Sequence, residues 1–458
     1  MSKPGESKPT VAATLAERIA ALSPEAIPAA VRAMADNLVL DVAGLCVAAR
    51  RSDYIGATVA GLDADGPCTM IGHARTGDAA GAALVNGTAA HGEDFDDTFE
   101  GGPVHAGAVI VPAVLAAAER HRLDGPSVLL GIAVGVEAIC RLSLVAPKRV
   151  HKAGFHPTSV FGALAATAGI GAAMRLQPGK MVDALGVAGS MASGIIEYLA
   201  DGSWTKRMHP GWAAQAGLRA ASLGRSGFQG PASVFEGTHG LFHGFARGAE
   251  GDYGKLTDGF GTQWVAETLA FKPFACGTMA QPYVDCAARL KARGVKPGDV
   301  AEILCEVAEG TVHRLWEPLA LKQAPPNAYA AKFSTPFCVA AGLVLGDAGL
   351  AAFTEETARD PTLRMVAATV RYAIDPGNPY PSNYTGHVRV RLKDGSTLEE
   401  RQPHLRGGAH EPLSRAALED KFFRNAAFGG WTRAKAEAAL ASLRKLFAGA
   451  VDLAALRG

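Results

Sequence analysis

TSVFGALAATAGIGAAMRL, residues 158–176, is the stretch that decides the fold. Apolar and small residues fill almost every position, so a helix formed from it has no polar face and must be buried on all sides. The segments around it share this character and alternate with loops rich in Gly, Pro and His. These segments are 79–91, 106–121, 127–144, 158–176, 180–199 and 211–226. The sequence therefore predicts a large helical domain whose helices approach closely through Ala and Gly.

The composition changes on the C-terminal side of this core. Residues 301–307, AEILCEV, have the character of a strand. Residues 387–402, HVRVRLKDGSTLEERQ, alternate apolar and polar side chains around a Lys-Asp-Gly turn, which predicts a β-hairpin. After residue 411 the chain becomes helical again. We therefore predict a mainly α protein, with a helical domain from residues 1–265 and 411–458 and a smaller α+β domain from residues 266–410.

Composition excludes several classes of protein. A chain of 458 residues can bury a large core without disulfides or metal. Its 45 Lys and Arg against 44 Asp and Glu give a net charge of +1, which argues against a nucleic-acid binder. Charged residues or His interrupt every apolar stretch, so we expect no membrane span. Seven widely spaced cysteines without a C-x-x-C predict a reducing, cytoplasmic location and no zinc or iron–sulfur site.

The first polar loop, HGEDFDDT at residues 91–98, places four carboxylates within five positions. Such a cluster needs solvent, a cation or basic groups to offset its repulsion. It fits a solvated turn after a helix, or a catalytic loop in which a carboxylate orients a His. Metal binding is less favoured, because the loop lacks the Asp-x-Asp-x-Asp-Gly order of a calcium site.

Three further loops are basic. Residues 148–159 place His156 just before a helix, where exposed N–H groups attract anions. Residues 201–212 bring Lys206, Arg207 and His209 between two tryptophans, and a partly desolvated Lys can act as an acid or a base. Lys272 lies in a fourth loop, at the predicted domain junction. Each is also compatible with an ordinary basic turn or a structural His.

Together these loops predict a basic pocket suited to a small polycarboxylate. A His or Lys base would remove a proton α to a carboxylate, and cationic neighbours would stabilise the resulting enediolate. Nucleotide and α/β-hydrolase chemistry are disfavoured. The Gly169–Met174 run lacks the third glycine of a dinucleotide fingerprint, and neither a phosphate-binding G-x-x-x-x-G-K-[ST] nor a G-x-S-x-G motif occurs.

The loops resemble those of the MmgE/PrpD family, which includes 2-methylcitrate dehydratase, cis-aconitate decarboxylase and iminodisuccinate epimerase. The matching segments are NGTAAHGEDFDDT (86–98), HAGAVIVPAVLAAAE (105–119), GFHPTSVFGALAATA (154–168), WTKRMHPGWAAQAG (204–217), GFQGPASVFEG (227–237), KPFACG (272–277) and AKFSTPFCVAAGLVLG (331–346). The resemblance implies a helical domain, an α+β lid with the active site between them, a homodimer, and chemistry without cofactor or metal.

The same resemblance carries a set of site residues onto this chain by motif. They are Asp94, Thr98, His105, His156, Lys206, Arg207, His209 and Lys272. We expect His156 or Lys206 to transfer the proton and Asp94 to orient a His, with His105 also in the catalytic group. Arg207 and Lys272 are expected to bind substrate carboxylates, and Thr98 and His209 to contact the substrate.

This sequence departs from familiar members at three places. Glu100 stands where members often carry a His, and residues 278–282, TMAQP, replace a basic residue and a His. Phe337 stands where decarboxylase-like members have a catalytic Tyr. These changes argue against cis-aconitate decarboxylation. The basic, His-containing loops and the family resemblance together predict a cofactor-independent lyase that dehydrates a 2-hydroxy di- or tricarboxylate of the 2-methylcitrate type. The alternatives are an isomerase or epimerase of a substituted succinate, and a non-catalytic carboxylate-binding protein.

Overall fold

The computed structural model describes residues 8–102 and 104–458. The chain folds into two compact units. The first takes the described residues up to Gly92, together with Gly101–Leu269 and Leu418–Gly458. The second takes Glu93–Glu100 and Ala270–Ala417. Sequence analysis placed all of residues 1–265 in the helical domain, so it did not anticipate that the acidic loop after Gly92 groups with the second unit.

The first unit is built almost entirely of helices, with one short antiparallel strand pair, β1 (Asp65–Thr69) and β2 (Thr76–Gly77). Its helices are α1 (Val11–Ala20), α2 (Ala29–Ala49), α3 (Asp53–Ala60), α4 (Ala79–His91), α5 (Gly107–His121), α6 (Gly125–Val145), α7 (Arg149–Lys152), α8 (Pro157–Ala173), α9 (Pro178–Met191), α10 (Tyr198–Asp201), α11 (Thr205–Arg225), α12 (Leu241–Phe245), α13 (Gly254–Thr257), α20 (Arg415–Phe428, in this unit from Leu418) and α21 (Arg433–Leu443).

Helix α11 is central to this unit, because it packs against α4, α8 and α9. Its contact with α4 depends on glycine. A Cβ added at Gly87 of α4 would lie 2.5 Å from the Cα of Gly211 in α11, so the two backbones touch where side chains would keep them apart. The prediction that small residues allow close helix packing is confirmed. This approach places the start of α11 beside the end of α4.

Helix α6 corrects the expectation that no segment is apolar enough to cross a membrane. Among the described residues, α6 alone passes by length and composition, with a mean hydropathy of 2.1. A bent pair, Thr335–Leu345 and Leu350–Arg359, passes only if it counts as one span. The α6 window is 94% buried, and α6 packs against α5 and α8. Burial in the core accounts for the apolar composition of α6. Its charged residues Glu137 and Arg141 are too few to lower its mean hydropathy much.

The second unit combines helices with a four-stranded sheet of order β6-β5-β7-β8. Strands β5 and β6 are parallel and the other pairs antiparallel, and β7 and β8 form the predicted hairpin, with Gly386 opposite Gln402. The helices are α14 (Gln281–Ala292), α15 (Glu309–Leu315), α16 (Leu319–Gln323), α17 (Ala328–Ala331), α18 (Thr335–Leu345) and α19 (Pro361–Thr369). The strands are β3 (Thr98–Phe99), β4 (Leu269–Ala270, at the boundary between the units), β5 (Val300–Val307), β6 (Val370–Ile374), β7 (Gly386–Leu392) and β8 (Thr397–Gln402). The predicted class, mainly α with a smaller α+β domain, is confirmed.

Two predicted helix bounds were wrong. The helix expected over residues 180–199 ends at Met191, because Ala192 is extended and Gly194 has a φ of +115° that no helix accepts. The helix expected from residue 211 begins at Thr205 and contains Pro210. Residues 205–210 were predicted as part of a basic loop, but they are helical even though Pro210 removes one backbone hydrogen bond.

Candidate active site

Four histidines from four different elements meet within the first unit. His91 ends α4, His105 precedes α5, His156 precedes α8, and His209 lies in the first turns of α11. The ring of His91 lies 4.8 Å from that of His105 and 5.7 Å from that of His156, centroid to centroid. The His156 and His209 rings are 5.3 Å apart. The helix packing thus brings together residues that are up to 118 positions apart in the sequence.

The closest contact in this histidine cluster joins His156 and His209. Their Nδ1 atoms are 3.1 Å apart, so one ring donates a hydrogen bond and the other accepts it. Both residues are buried, with exposed fractions of 5% and 4%. The ring of Tyr198 lies edge-on to both, 6.2 Å from His156 and 5.8 Å from His209. The pair is therefore held in a nearly dry environment with an aromatic wall.

Backbone hydrogen bonds fix His156 in this position. Its N–H donates to the carbonyl of Gly194 at 2.8 Å, and the N–H of Ile196 donates to the carbonyl of Gly154 at 3.0 Å. Gly154 and Gly194 both have positive φ, at +100° and +115°. A Cβ added at Gly194 would lie 2.6 Å from the Oγ of Ser159. These two glycines therefore let the segment before α8 and the segment after α9 run side by side.

Burial and neighbouring positive charge keep the histidine pair neutral. The pKa of His156 lies well below its usual 6.5, chiefly because burial penalises the cation, with further lowering by His91, His209, Lys206 and His105. Burial, then His91 and Lys206, lower the pKa of His209 to about 4. Both rings are thus uncharged at neutral pH. A neutral imidazole has a lone pair that can accept a proton.

Lys206 and Arg207 lie on helix α11 rather than in the loop that the sequence suggested. Both side chains are half-buried. The guanidinium of Arg207 lies 4.4 Å from the centroid of the Tyr54 ring, a cation–π contact. Lys206 contributes positive charge to His156 and His209. Lys206 is therefore near enough for its charge to act on both rings of the pair, and the proton-transfer role expected for it stays a prediction.

His105 is positioned by a contact from the same region. Its backbone N–H donates to the Oγ1 of Thr158, in the first turn of α8, at 3.2 Å. Thr158 is fully buried. The start of α8 therefore fixes both His156 and the backbone of His105.

In the second unit, Lys272 and Asp94 form a buried ion pair. The Nζ of Lys272 lies 3.1 Å from the Oδ1 of Asp94 and donates to the Asp94 carbonyl at 2.9 Å. Both residues are nearly inaccessible, at 2% and 3% exposed. Asp94 adopts the left-handed conformation, with a φ of +56°. The roles predicted for them, carboxylate binding for Lys272 and His orientation for Asp94, stay predictions. Thr98 is buried on β3 of the same unit.

A second lysine holds the same loop and was missed from the sequence. The Nζ of Lys332 donates to the carbonyl of Glu93 and to its Oε2, both at 2.7 Å. Lys332 is 1% exposed. Two buried lysines thus hold consecutive residues, each through a carbonyl and a carboxylate. The sequence signal for Lys332 is its place in the AKFSTPF segment, one of those that resemble the MmgE/PrpD family.

Two positions where this chain departs from familiar members are structural in the second unit. The side chain of Gln281 accepts from the N–H of Phe274 at 3.3 Å and donates to the carbonyls of Phe274 and Cys276 at 2.9 and 3.0 Å. It therefore fixes the loop that carries Lys272. Phe337 is fully buried against the ring of Phe353, with centroids 6.2 Å apart. Phe337 has no hydroxyl and cannot transfer a proton.

Sequence reasoning also missed two members of the first unit's site. His91 was quoted as the start of the acidic loop but not selected, although it contacts both His105 and His156. Its signal was a histidine at the end of a helix that is otherwise apolar. Tyr198 fell inside a segment predicted as continuous helix, where it resembled a core aromatic.

Comparison with known proteins agrees with this architecture. The MmgE/PrpD N-terminal domain model matches residues 13–253 and the MmgE/PrpD C-terminal domain model matches residues 274–444. Cis-aconitate decarboxylase of Mus musculus is 30% identical over 360 residues, covering 75% of this chain and 71% of that protein. That of Homo sapiens is 30% identical over 365 residues, covering 75% and 72%. That of Aspergillus terreus (strain NIH 2624 / FGSC A1156) is 26% identical over 427 residues, covering 87% and 86%. The chain therefore belongs to the MmgE/PrpD family, a family of lyase-type enzymes that act on carboxylates.

Proposed function

We propose that this protein is a cofactor-independent lyase that removes a proton α to a carboxylate of a small di- or tricarboxylate and eliminates water, with 2-methylcitrate-type acids as the first candidates. The observation that carries the proposal is the buried, neutral pair His156 and His209, with His91 and His105 beside it. At pH 7 the pair is neutral and has a lone pair for the α-proton, and a bound polyanion that raises its pKa brings it closer to the value at which a general base is most effective. The named relatives support a polycarboxylate substrate, because cis-aconitate is a tricarboxylate.

The surroundings of the pair suit a developing negative charge. Removing an α-proton places charge on the carboxylate as an enediolate, which a preorganised cation stabilises strongly where water is excluded. Lys206 is the cation whose charge acts on both rings of the pair. Arg207, one residue further along α11, is the candidate for a second substrate carboxylate. A bound polyanion also raises the pKa of the histidine that accepts the proton, which favours the transfer.

Decarboxylation of cis-aconitate is the second candidate, favoured by the names of the relatives at 26–30% identity. Phe337 argues against it, because a buried phenylalanine replaces the tyrosine of decarboxylase-like members. The third candidate is epimerisation of a substituted succinate, which needs the same proton abstraction without elimination. These three reactions leave different products, so one experiment separates them.

The test is proton NMR in D₂O with the pure protein and a panel of citrate, 2-methylcitrate, cis-aconitate, malate-type acids and iminodisuccinate. Parallel samples contain a chelator or added divalent metal. Alkene formation from a hydroxy acid in the chelated sample would establish the proposed reaction. Its signal is a vinylic proton for citrate or malate-type acids. For 2-methylcitrate it is collapse of the methyl doublet to an allylic methyl singlet, because loss of the proton beside the methyl group leaves a fully substituted double bond. Vinylic products with bicarbonate release from cis-aconitate would establish decarboxylation instead. Exchange of the α-proton without formation of any alkene would establish an epimerase. If none of these three reactions occurs and the acids only raise the melting temperature, the protein binds carboxylates without turning them over.

A further inference from the structure

The hydrogen bond between His156 and His209 joins the same atom of each ring, Nδ1 to Nδ1 at 3.1 Å. A neutral imidazole carries its single proton on one nitrogen and a lone pair on the other. The ring that donates this bond therefore has a bare Nε2, which is a base. The ring that accepts it carries its proton on Nε2, which is an acid. The geometry forces one ring to be basic and the other acidic while the pair as a whole stays neutral.

We infer that His156 and His209 act as a single acid–base unit, in which one ring takes the substrate's α-proton and the other protonates the departing hydroxyl group. This inference rests on the proposed lyase reaction and deepens it. It also changes the role that the resemblance implied for His209, from substrate contact to proton transfer. The shared bond uses Nδ1 of each ring, so the two Nε2 atoms are the ones that would act on the substrate.

The proton transfers balance within one turnover. The bare Nε2 of the donor ring takes the α-proton, the C–H bond breaks, and its electrons form the enediolate. The extra proton then crosses the shared bond, from Nδ1 of the first ring to Nδ1 of the second. The second ring gives its Nε2 proton to the hydroxyl group, the C–O bond breaks, and water and the alkene are released. The pair ends neutral with the two tautomers exchanged. It is restored when the first ring loses its Nε2 proton to water, the second ring gains one from water at Nε2, and the shared proton returns to Nδ1 of the first ring.

The surroundings of the pair favour the neutral, proton-sharing state. The ionisable groups that face it are His91, His105, Lys206 and Tyr198. Positive charge on any of the first three disfavours an extra proton on the pair, and burial of both rings acts in the same direction. The cationic pair that forms after proton abstraction therefore depends on the negative charge of the bound substrate, and its extra proton crosses the shared bond without changing the net charge of the pair.

Asparagine variants separate the two functions of each ring. An Asn amide lies where Nδ1 lies and keeps a partner for the other ring, but it has no equivalent of Nε2. We expect one of His156→Asn and His209→Asn, the variant that loses the acid, to keep α-proton exchange in D₂O while elimination falls by roughly 100- to 10,000-fold. The other variant, which loses the base, should lose both exchange and elimination. The exposed His239→Asn is the matched control and should change neither.

Elimination within tenfold of the wild-type rate in either Asn variant would overturn the inference, since a ring that only supports its neighbour is replaceable by an amide. Equal loss of exchange and elimination in both variants would also overturn it. A second measurement needs no substrate and so remains decisive if the proposed reaction is wrong. In ¹⁵N-histidine spectra at neutral pH, the Nδ1 signals of His156 and His209, assigned with the variants, should together account for one bound proton. Two protonated or two bare Nδ1 atoms would contradict the shared bond.

Discussion

Acidification should destabilise the first unit through His209. Its pKa of about 4 in the folded chain lies below the ordinary value of 6.5, chiefly because the ring is buried, and then because of His91 and Lys206. Since the folded pKa is depressed, the unfolded chain binds the proton more readily. The stability that depends on neutral His209 is therefore present above about pH 6.5 and is lost as the pH falls towards 4.

The magnitude follows from the two pKa values. A difference of about 2.5 units corresponds to a full contribution of about 3 kcal/mol, of which about 2 kcal/mol is lost between pH 7 and pH 5. The pKa of His156 is shifted in the same direction, so the wild-type protein should lose more than this. The assay is urea unfolding followed by circular dichroism at half-unit steps from pH 7.5 to pH 5, which gives the free energy of unfolding against pH.

His209→Asn removes the titrating ring. Near pH 5 it should reduce the slope of the free energy of unfolding against pH by the contribution of about one bound proton. The exposed His239→Asn, in the same unit, should leave the slope unchanged. If His209→Asn and the wild-type protein lose stability in parallel between pH 7 and pH 5, His209 is not held neutral by burial. The explanation of the site as a neutral pair would then be wrong.

Three further outcomes are expected. Lys421→Met should lower the free energy of unfolding by about 3–5 kcal/mol, because it removes the cation from a 2.7 Å ion pair with Asp41 that is almost fully buried. Lys445 is exposed, so Lys445→Met should change the free energy of unfolding little. Lys206→Ala should abolish turnover while the melting temperature stays nearly unchanged, because the side chain is only half-buried; thermal melts and product assays measure both. Phe337→Tyr should destabilise the protein by about 1–3 kcal/mol without producing decarboxylation of cis-aconitate, because the hydroxyl enters a fully buried position.

The helical core could be predicted because its signal is local. A segment such as residues 158–176 has no polar face, so burial on all sides is its only stable arrangement. The β-hairpin at residues 386–402 was equally clear, because alternation and an Asp-Gly turn both favour it. Errors arose where tertiary contact outweighed local preference. Pro210 suggested a loop, but α11 continues through it and packs closely against α4.

The candidate site was only partly predictable, since its geometry depends on long-range packing. The motifs supplied His156 and His209, but nothing in a spacing of 53 residues indicates that their Nδ1 atoms share a hydrogen bond. Lys332 contacts Glu93, 239 positions away, and no local pattern distinguishes it from a surface lysine. Residue types could therefore be chosen from the sequence, whereas their partners could not.

Burial of the histidine cluster has opposite effects on stability and on chemistry. Each buried ring makes the fold sensitive to acid, because the pKa values of His156 and His209 lie below the ordinary value. The same burial keeps both rings neutral at pH 7, and only a neutral pair can offer a base and an acid at once. Both effects have one physical cause but different pH ranges: stability falls from about pH 6.5 downward, whereas the acid limb of activity follows the folded pKa, which for His209 is about 4. A substrate polyanion bound beside the pair would raise those pKa values, so it would activate the base and would relieve more of the acid sensitivity than its binding energy at neutral pH alone suggests.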